Sequence, residues 1–202
     1  MAFRQELRYS LQKGGDIGVG RRLKKMMTVG SYTERLNEAL GRRAWRDVKQ
    51  VGRRILKLDP SHLIAREAIA QAHWHLREYR SCLTVAKSLI VLNPHEPGYS
   101  LLQGMCHHML GQYQAALSAL HGSFEKSDRE ESRRQIQQQI AHVEETIVCA
   151  VNMLRQSDRR FEAAFDADPE TAFAAIGIHT QTDVPSVMRA LIWPEQSFAR
   201  PN

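Results

Sequence analysis

The segment Ile55-Leu-Lys-Leu-Asp-Pro60 returns as Leu89-Ile-Val-Leu-Asn-Pro94, a shift of 34 residues. Arg43-Ala-Trp45, Arg77-Glu-Tyr79 and Gly111-Gln-Tyr113 lie on the same shift, as do the columns Val48, Cys82, Ala116 and Leu36, Ala70, Gly104. A period of this length constrains the chain more than its composition does. One such repeat cannot bury its own apolar face, so neighbouring repeats must stack. The prolines say what is stacked. They stand at 60, 94, 97, 169, 185, 194 and 201, with none from 98 to 168. An interior proline removes a backbone hydrogen bond and clashes with the preceding turn, so that gap suits long helices. Neither a period-two apolar run nor an Asn-Gly or Asp-Gly hairpin signal is present, and the expected class is all-α.

Matched aromatic, small and Asp/Asn-Pro positions at two successive intervals of 34 residues resemble the tetratricopeptide repeat family. The best match is Leu102-Gln-Gly104-Met-Cys-His-His-Met-Leu-Gly111-Gln-Tyr113-Gln-Ala-Ala116-Leu. The first repeat departs from the pattern, with Leu36 where a small residue is usual and Gly52 where a large apolar one is usual. The resemblance implies a right-handed α-α superhelix of three helix pairs over residues 29–128, divided 29–62, 63–96 and 97–128. A basic N-terminal arm (1–28) would precede them. A capping helix (129–157) and a C-terminal helical segment with a tail (158–202) would follow.

Helices are expected near 32–41, 45–58, 63–76, 79–92, 97–110, 113–125 and 128–156. Ser31-Tyr-Thr-Glu34, Asn93-Pro-His-Glu96 and Ser127-Asp-Arg-Glu130 have the spacing of capping boxes. Within the long helix Ile136, Ile140, Val143, Ile147, Val151 and Leu154 form one apolar face, suited to covering a terminal repeat. Residues 2–13 could form a short amphipathic helix, and Gly14–Gly20 reads as a loop. Asp168-Pro169 and Asp183-Val-Pro185 read as helix starts, Gly177 as a stop, and the last nine residues as a tail.

Catalytic and cofactor signatures are not found. Gly15-Asp-Ile-Gly18-Val-Gly20 lacks the Gly-Lys-Ser/Thr ending of a phosphate loop and does not follow a strand. His73, His75, Cys82, Cys106, His107, His108 and His121 are metal-ligand types, but no Cys-x-x-Cys or His-x-x-x-His spacing joins them. His73 and His107 read instead as satisfied core histidines, and Cys82, Cys106 and Cys149 as reduced core thiols. No enzyme, metal or cofactor is expected.

What remains is a binding surface. In the family the first helices of successive repeats line a concave groove for a peptide. The matching positions here are Thr33, Asn37 and Leu40, then Ile64, Glu67, Gln71, Trp74 and His75, then Leu101, Met105, His108 and Met109. Methionines adapt in shape and aromatics dominate contact energies, so the expected ligand is an apolar segment of another protein. The alternative is that these side chains pack against the chain's own ends. Family members that clamp a C-terminal carboxylate carry Lys, Asn and Arg at positions filled here by Thr33, Asn37, Ala68, Gly98 and Leu102. Only Asn37 fits, so a clamped chaperone tail is not expected.

The 202 residues include 28 Lys and Arg against 22 Asp and Glu, a net charge of +6. Residues 1–60 hold 15 and 6 of these (net +9), leaving 13 and 16 (net −3) for the rest. Arg21, Arg22, Lys24, Lys25, Arg42, Arg43, Arg46, Lys49 and Arg53 are the candidate basic patch, with Arg54 and Lys57 beside it. The plain alternative is a solvated face that keeps the protein soluble. As a binding patch it would attract an acidic protein, ahead of nucleic acid or an anionic membrane surface, because interleaved stacking aromatics are nearly absent. No apolar run reaches the length of a membrane span, and the start lacks the apolar core of a signal peptide. A cytoplasmic adaptor or scaffold is the expectation.

Overall fold

The computed structural model describes residues 17–178, with side chains from residue 25 onward. The expected short helix at 2–13, the Asp183-Val-Pro185 helix start and the C-terminal tail lie outside the described residues. Among those described there is no strand, and the elements are α1 (Ile17–Gly41), α2 (Trp45–Leu58), α3 (Leu63–His75), α4 (Tyr79–Leu92), α5 (Pro97–Met109), α6 (Tyr113–Lys126), α7 (Glu130–Ser157), α8 (Arg159–Ala167) and α9 (Pro169–Ala175). Contacts divide the chain into two compact units, one ending at Glu78 and the other beginning at Tyr79.

The turns repeat as faithfully as the sequence does. Arg43, Arg77 and Gly111, spaced by 34, each adopt the left-handed conformation, with φ of 52°, 57° and 71°. In each turn the following amide reaches back five residues. Ala44 N–H donates to Ala39 O, Glu78 N–H to His73 O and Gln112 N–H to His107 O, each at 2.9 Å. This closes the first helix of each pair as a Schellman motif. Side chains add a clasp at the last two turns. His73 Nδ1 bonds the Glu78 carboxylate, and His107 Nδ1 bonds Gln112 Oε1 at 2.7 Å. Both rings are buried and satisfied, as the sequence suggested.

In the first unit the core joins Leu36 and Ala39 of α1, Val48, Val51 and Ile55 of α2, and Ala65, Ala68 and Ala72 of α3. In the second it joins Leu117 and Leu120 of α6, Ile136, Val143, Ile147 and Val151 of α7, and Phe161, Phe165 and Phe173 of α8 and α9. The column 36, 70, 104 reads Leu, Ala, Gly, and the column 52, 86, 120 reads Gly, Ala, Leu. The packing explains the third member of each. A Cβ on Gly104 would lie 2.7 Å from Leu120 Cγ and 3.1 Å from the Ala116 carbonyl oxygen. Glycine on α5 thus makes room for leucine on α6. In the first repeat Leu36 and Gly52 are both buried, and a Cβ on Gly52 would lie 2.7 Å from Ile69 Cγ1 and 3.3 Å from the Ala65 carbonyl oxygen, both on α3.

Several local expectations are corrected. α1 begins at residue 17, where a loop and then an arm were expected, and its Gly18, Gly20 and Gly30 are helical. Glycine costs about 1 kcal/mol in a helix interior, which the good helix formers of Arg21–Met27 offset. Ser31 consequently lies within the helix and caps nothing. Glu96, not Asn93, caps α5 by accepting from Gly98 N–H at 3.1 Å. Ser127 is buried at the end of α6, and the N-cap of α7 is Arg129, without a side-chain bond. α8 lies in the expected C-terminal helical segment, and its own start was not marked: Asp158 caps it by accepting from Arg160 N–H and Phe161 N–H. Cys82 and Cys106 are buried thiol against thiol, whereas Cys149 is exposed.

Candidate peptide-binding site

The first helices of the pairs carry the candidate face, and each unit presents its own part. In the first unit α1 and α3 pack side by side. Asn37 and Gln71, equivalent by the 34-residue shift, are both exposed. Leu40 is half-buried against the core, whereas Ile64 is 55% exposed. Ile64, Gln71 and His75 lie along one line of α3, and Glu67 and Trp74, both half-buried, flank it. The line ends on an aromatic platform: His75 stacks on Trp45 of α2 with ring centres 4.0 Å apart and planes within 9°. Trp45 also packs against the core of this unit. No spacing in the sequence signals this stack, because the two residues meet across successive repeats.

In the second unit Leu101 packs against the core, Met105 is half-buried and Met109 is 48% exposed. His108 is different, because α7 holds it. Its Nε2 lies 3.2 Å from Thr146 Oγ1, and its ring meets His142 edge-on at 5.1 Å. Burial, and secondarily the nearby His142, lowers the His108 pKa. Residue 142 lies 34 positions beyond 108, so α7 stands on α5 in the register a further first helix would have. Its apolar face covers α6 as expected, with Ile140 and Leu154 at the margin of the core.

The candidate basic residues separate into three groups. The side chains of Arg21, Arg22 and Lys24 lie outside those described. Lys49 is held: its Nζ donates to both Glu78 oxygens at 2.7 and 2.6 Å, and its side chain is only 16% exposed. That ammonium first, and the His73 ring second, keep the Glu78 carboxyl below its usual range. Lys25, Arg42, Arg43, Arg46 and Arg53 are exposed, and among these only Arg42 meets a carboxylate within 4 Å, that of Glu38 at 3.8 Å. On the helical wheel of α2, Arg46, Arg53 and Lys57 fall within about 40° of one another. They form a ridge opposite the buried Val48, Val51 and Ile55. Arg54 turns instead over the Tyr32 ring, 6.0 Å from its centre, with Arg35 at 5.9 Å.

Two further arrangements bear on chemistry. Among the described residues no group of three or more His, Cys, Asp or Glu is placed to hold a metal ion. Nor is any described helix long and apolar enough to cross a membrane.

No protein-family model matches the sequence, and no curated protein matches it. Solved structures do match. PcrH from Pseudomonas aeruginosa is 15% identical, with 57% of this chain and 91% of that chain covered at a TM-score of 0.53. PcrH in complex with the chaperone binding region of PopD gives 15%, 58%, 92% and 0.54. A T3SS complex from Aeromonas hydrophila gives 13% identity, 70% and 97% coverage and a TM-score of 0.57. With 34-residue helix pairs closed by equivalent turns, and these structural matches, the chain has the tetratricopeptide-repeat fold.

Proposed function

We propose that this chain is a non-catalytic adaptor or scaffold that binds an apolar segment of another protein on the first-helix faces of its repeats. The observation that carries this is the exposure of Ile64 and Met109 at groove positions, beside Gln71 and His75 in one unit and Met105 in the other. Large aliphatic and thioether groups left in water at these positions favour desolvation by a ligand. The PcrH structure with a bound region of PopD supports the reading, since a chain of the same fold there holds a segment of another protein. A cytoplasmic location belongs to the same proposal, and cell fractionation tests it. Affinity capture with identification of the retained proteins tests the binding. Trp74→Ala and Met105→Glu are expected to abolish capture with helical content preserved, and unchanged capture by both would remove the face as the site.

The ridge Arg46, Arg53, Lys57 favours a second contact, with an acidic partner. Asp47 follows Arg46 on the same helix, and Glu38 pairs with the neighbouring Arg42. A single row of three cations without stacking aromatics beside it suits an acidic protein segment better than nucleic acid. Retention on random-sequence nucleic acid or anionic vesicles, lost steeply as salt rises, would favour the nucleic-acid or membrane alternative instead.

A further inference from the structure

Within the second unit His108 of α5 is joined to α7 by a relay whose proton positions can be assigned. Thr146 Oγ1 donates its only proton to the His142 carbonyl oxygen at 2.8 Å. Toward His108 that hydroxyl can only accept, so His108 carries its proton on Nε2 and leaves Nδ1 as the site for a second one. The titratable groups facing His108 are Tyr113 of α6, with ring centres 6.1 Å apart, and His142 of α7, in edge contact at 5.1 Å. α4, which also packs on α5, meets it through Cys82 at Cys106. No carboxylate is among the described partners of His108. A charge placed on this ring would therefore be half-buried, unpaired and next to a second imidazole.

We infer that this seam is an acid-sensitive latch, in which neutral His108, bonded to Thr146 and packed edge-on against the His142 ring, holds α7 on α5 and uptake of a proton by His108 releases it. The released region is the part of α7 beside the face that carries Met105 and Met109. Only this consequence for ligand binding rests on the proposed peptide site; the latch itself does not. The direction follows from burial, which holds His108 below its ordinary value of 6.5. The packed seam binds protons less readily than the separated one. Its stability is complete above that value and is lost as pH falls through and below it.

Amide hydrogen exchange of the full chain without any partner tests the latch, at about pH 7.5 and about pH 5.5, on either side of the imidazole range and corrected for intrinsic rates. Amides of α7 around Thr146 and of the C-terminal half of α5 are expected to exchange several-fold faster at the lower pH, because the released seam takes up the proton that the packed one resists. His108→Gln keeps an N–H donor for Thr146 and cannot become charged, so its exchange should lose this pH response. Equal exchange of the parent at both values, or a full response retained in His108→Gln, would overturn the latch. Should that variant lose helicity, a heteronuclear titration of the parent's imidazoles decides. His108 should titrate below 6.5, and titration at or above it refutes the proposal. Because no ligand is present, failure of the peptide site would leave these results untouched, and loss of the latch would not remove the peptide site.

Discussion

Arg77 adopts a φ of 57° at the position where the next repeat has Gly111. A side chain with a Cβ costs about 1 kcal/mol or more in that conformation, and glycine does not. Arg77→Gly should therefore stabilise the chain by roughly 0.5–1 kcal/mol, and Gly111→Ala should destabilise it by about 1 kcal/mol. Urea midpoints of the two variants measure both signs. Packing at Gly104 gives a second expectation. Gly104→Ala must displace Leu120 with the Ala116 backbone close behind it, at a cost of about 1–3 kcal/mol. In a Leu120→Ala background that cost should largely vanish, and a double-mutant cycle reads the coupling. The turn column was legible in the sequence because Arg77 and Gly111 share a register with matching neighbours. The Trp45–His75 stack was not, because neither spacing nor periodicity records which ring crosses to meet another.

At the scale of elements the same division holds. α2 and α4 begin and end where the 34-residue shift and Pro60 and Pro94 place them. α7 follows its apolar period through Val143, Ile147 and Val151. Local cap patterns read less well. Ser31 fits the spacing of a cap, but its helix had already started fourteen residues earlier, so the carbonyls of the preceding turn satisfy the amides it would have capped. The lysine of the candidate patch that proved occupied, Lys49, ties α2 to the turn after α3 through Glu78. The fold favours the ionised Glu78 carboxylate, so its contribution is complete above the ordinary value of 4.5 and is lost as pH falls through the lower folded value. The stability gap between the parent and Glu78→Gln should accordingly narrow between about pH 5 and about pH 3. A gap that stays constant over that range would show that the pair adds nothing beyond packing. Lys49 was misplaced in the patch because Glu78 lies 29 residues away, where helical spacing has no reach.

Across the whole molecule, periodicity made the fold readable, while the use of its surfaces had to come from side-chain geometry. The overall +6 conceals a basic first third and a mildly acidic remainder, and among the described residues the α2 ridge is one exposed part of that excess. Ridge and first-helix face differ in chemistry, so they should fail under different perturbations. Salt should weaken a contact made by Arg46, Arg53 and Lys57 and leave nearly unchanged those made by Ile64 and Trp74 in one unit or by Met105 and Met109 in the other. The most direct measurement is affinity capture from a lysate, with the retained proteins quantified for the parent, Trp74→Ala, and Arg46→Glu with Arg53→Glu, each first shown to be helical by circular dichroism. The account predicts a protein retained by the parent in moderate salt, lost with Trp74→Ala and reduced but present with the ridge variant. A retained set that Trp74→Ala leaves intact, and that the ridge variant alone abolishes, would contradict it.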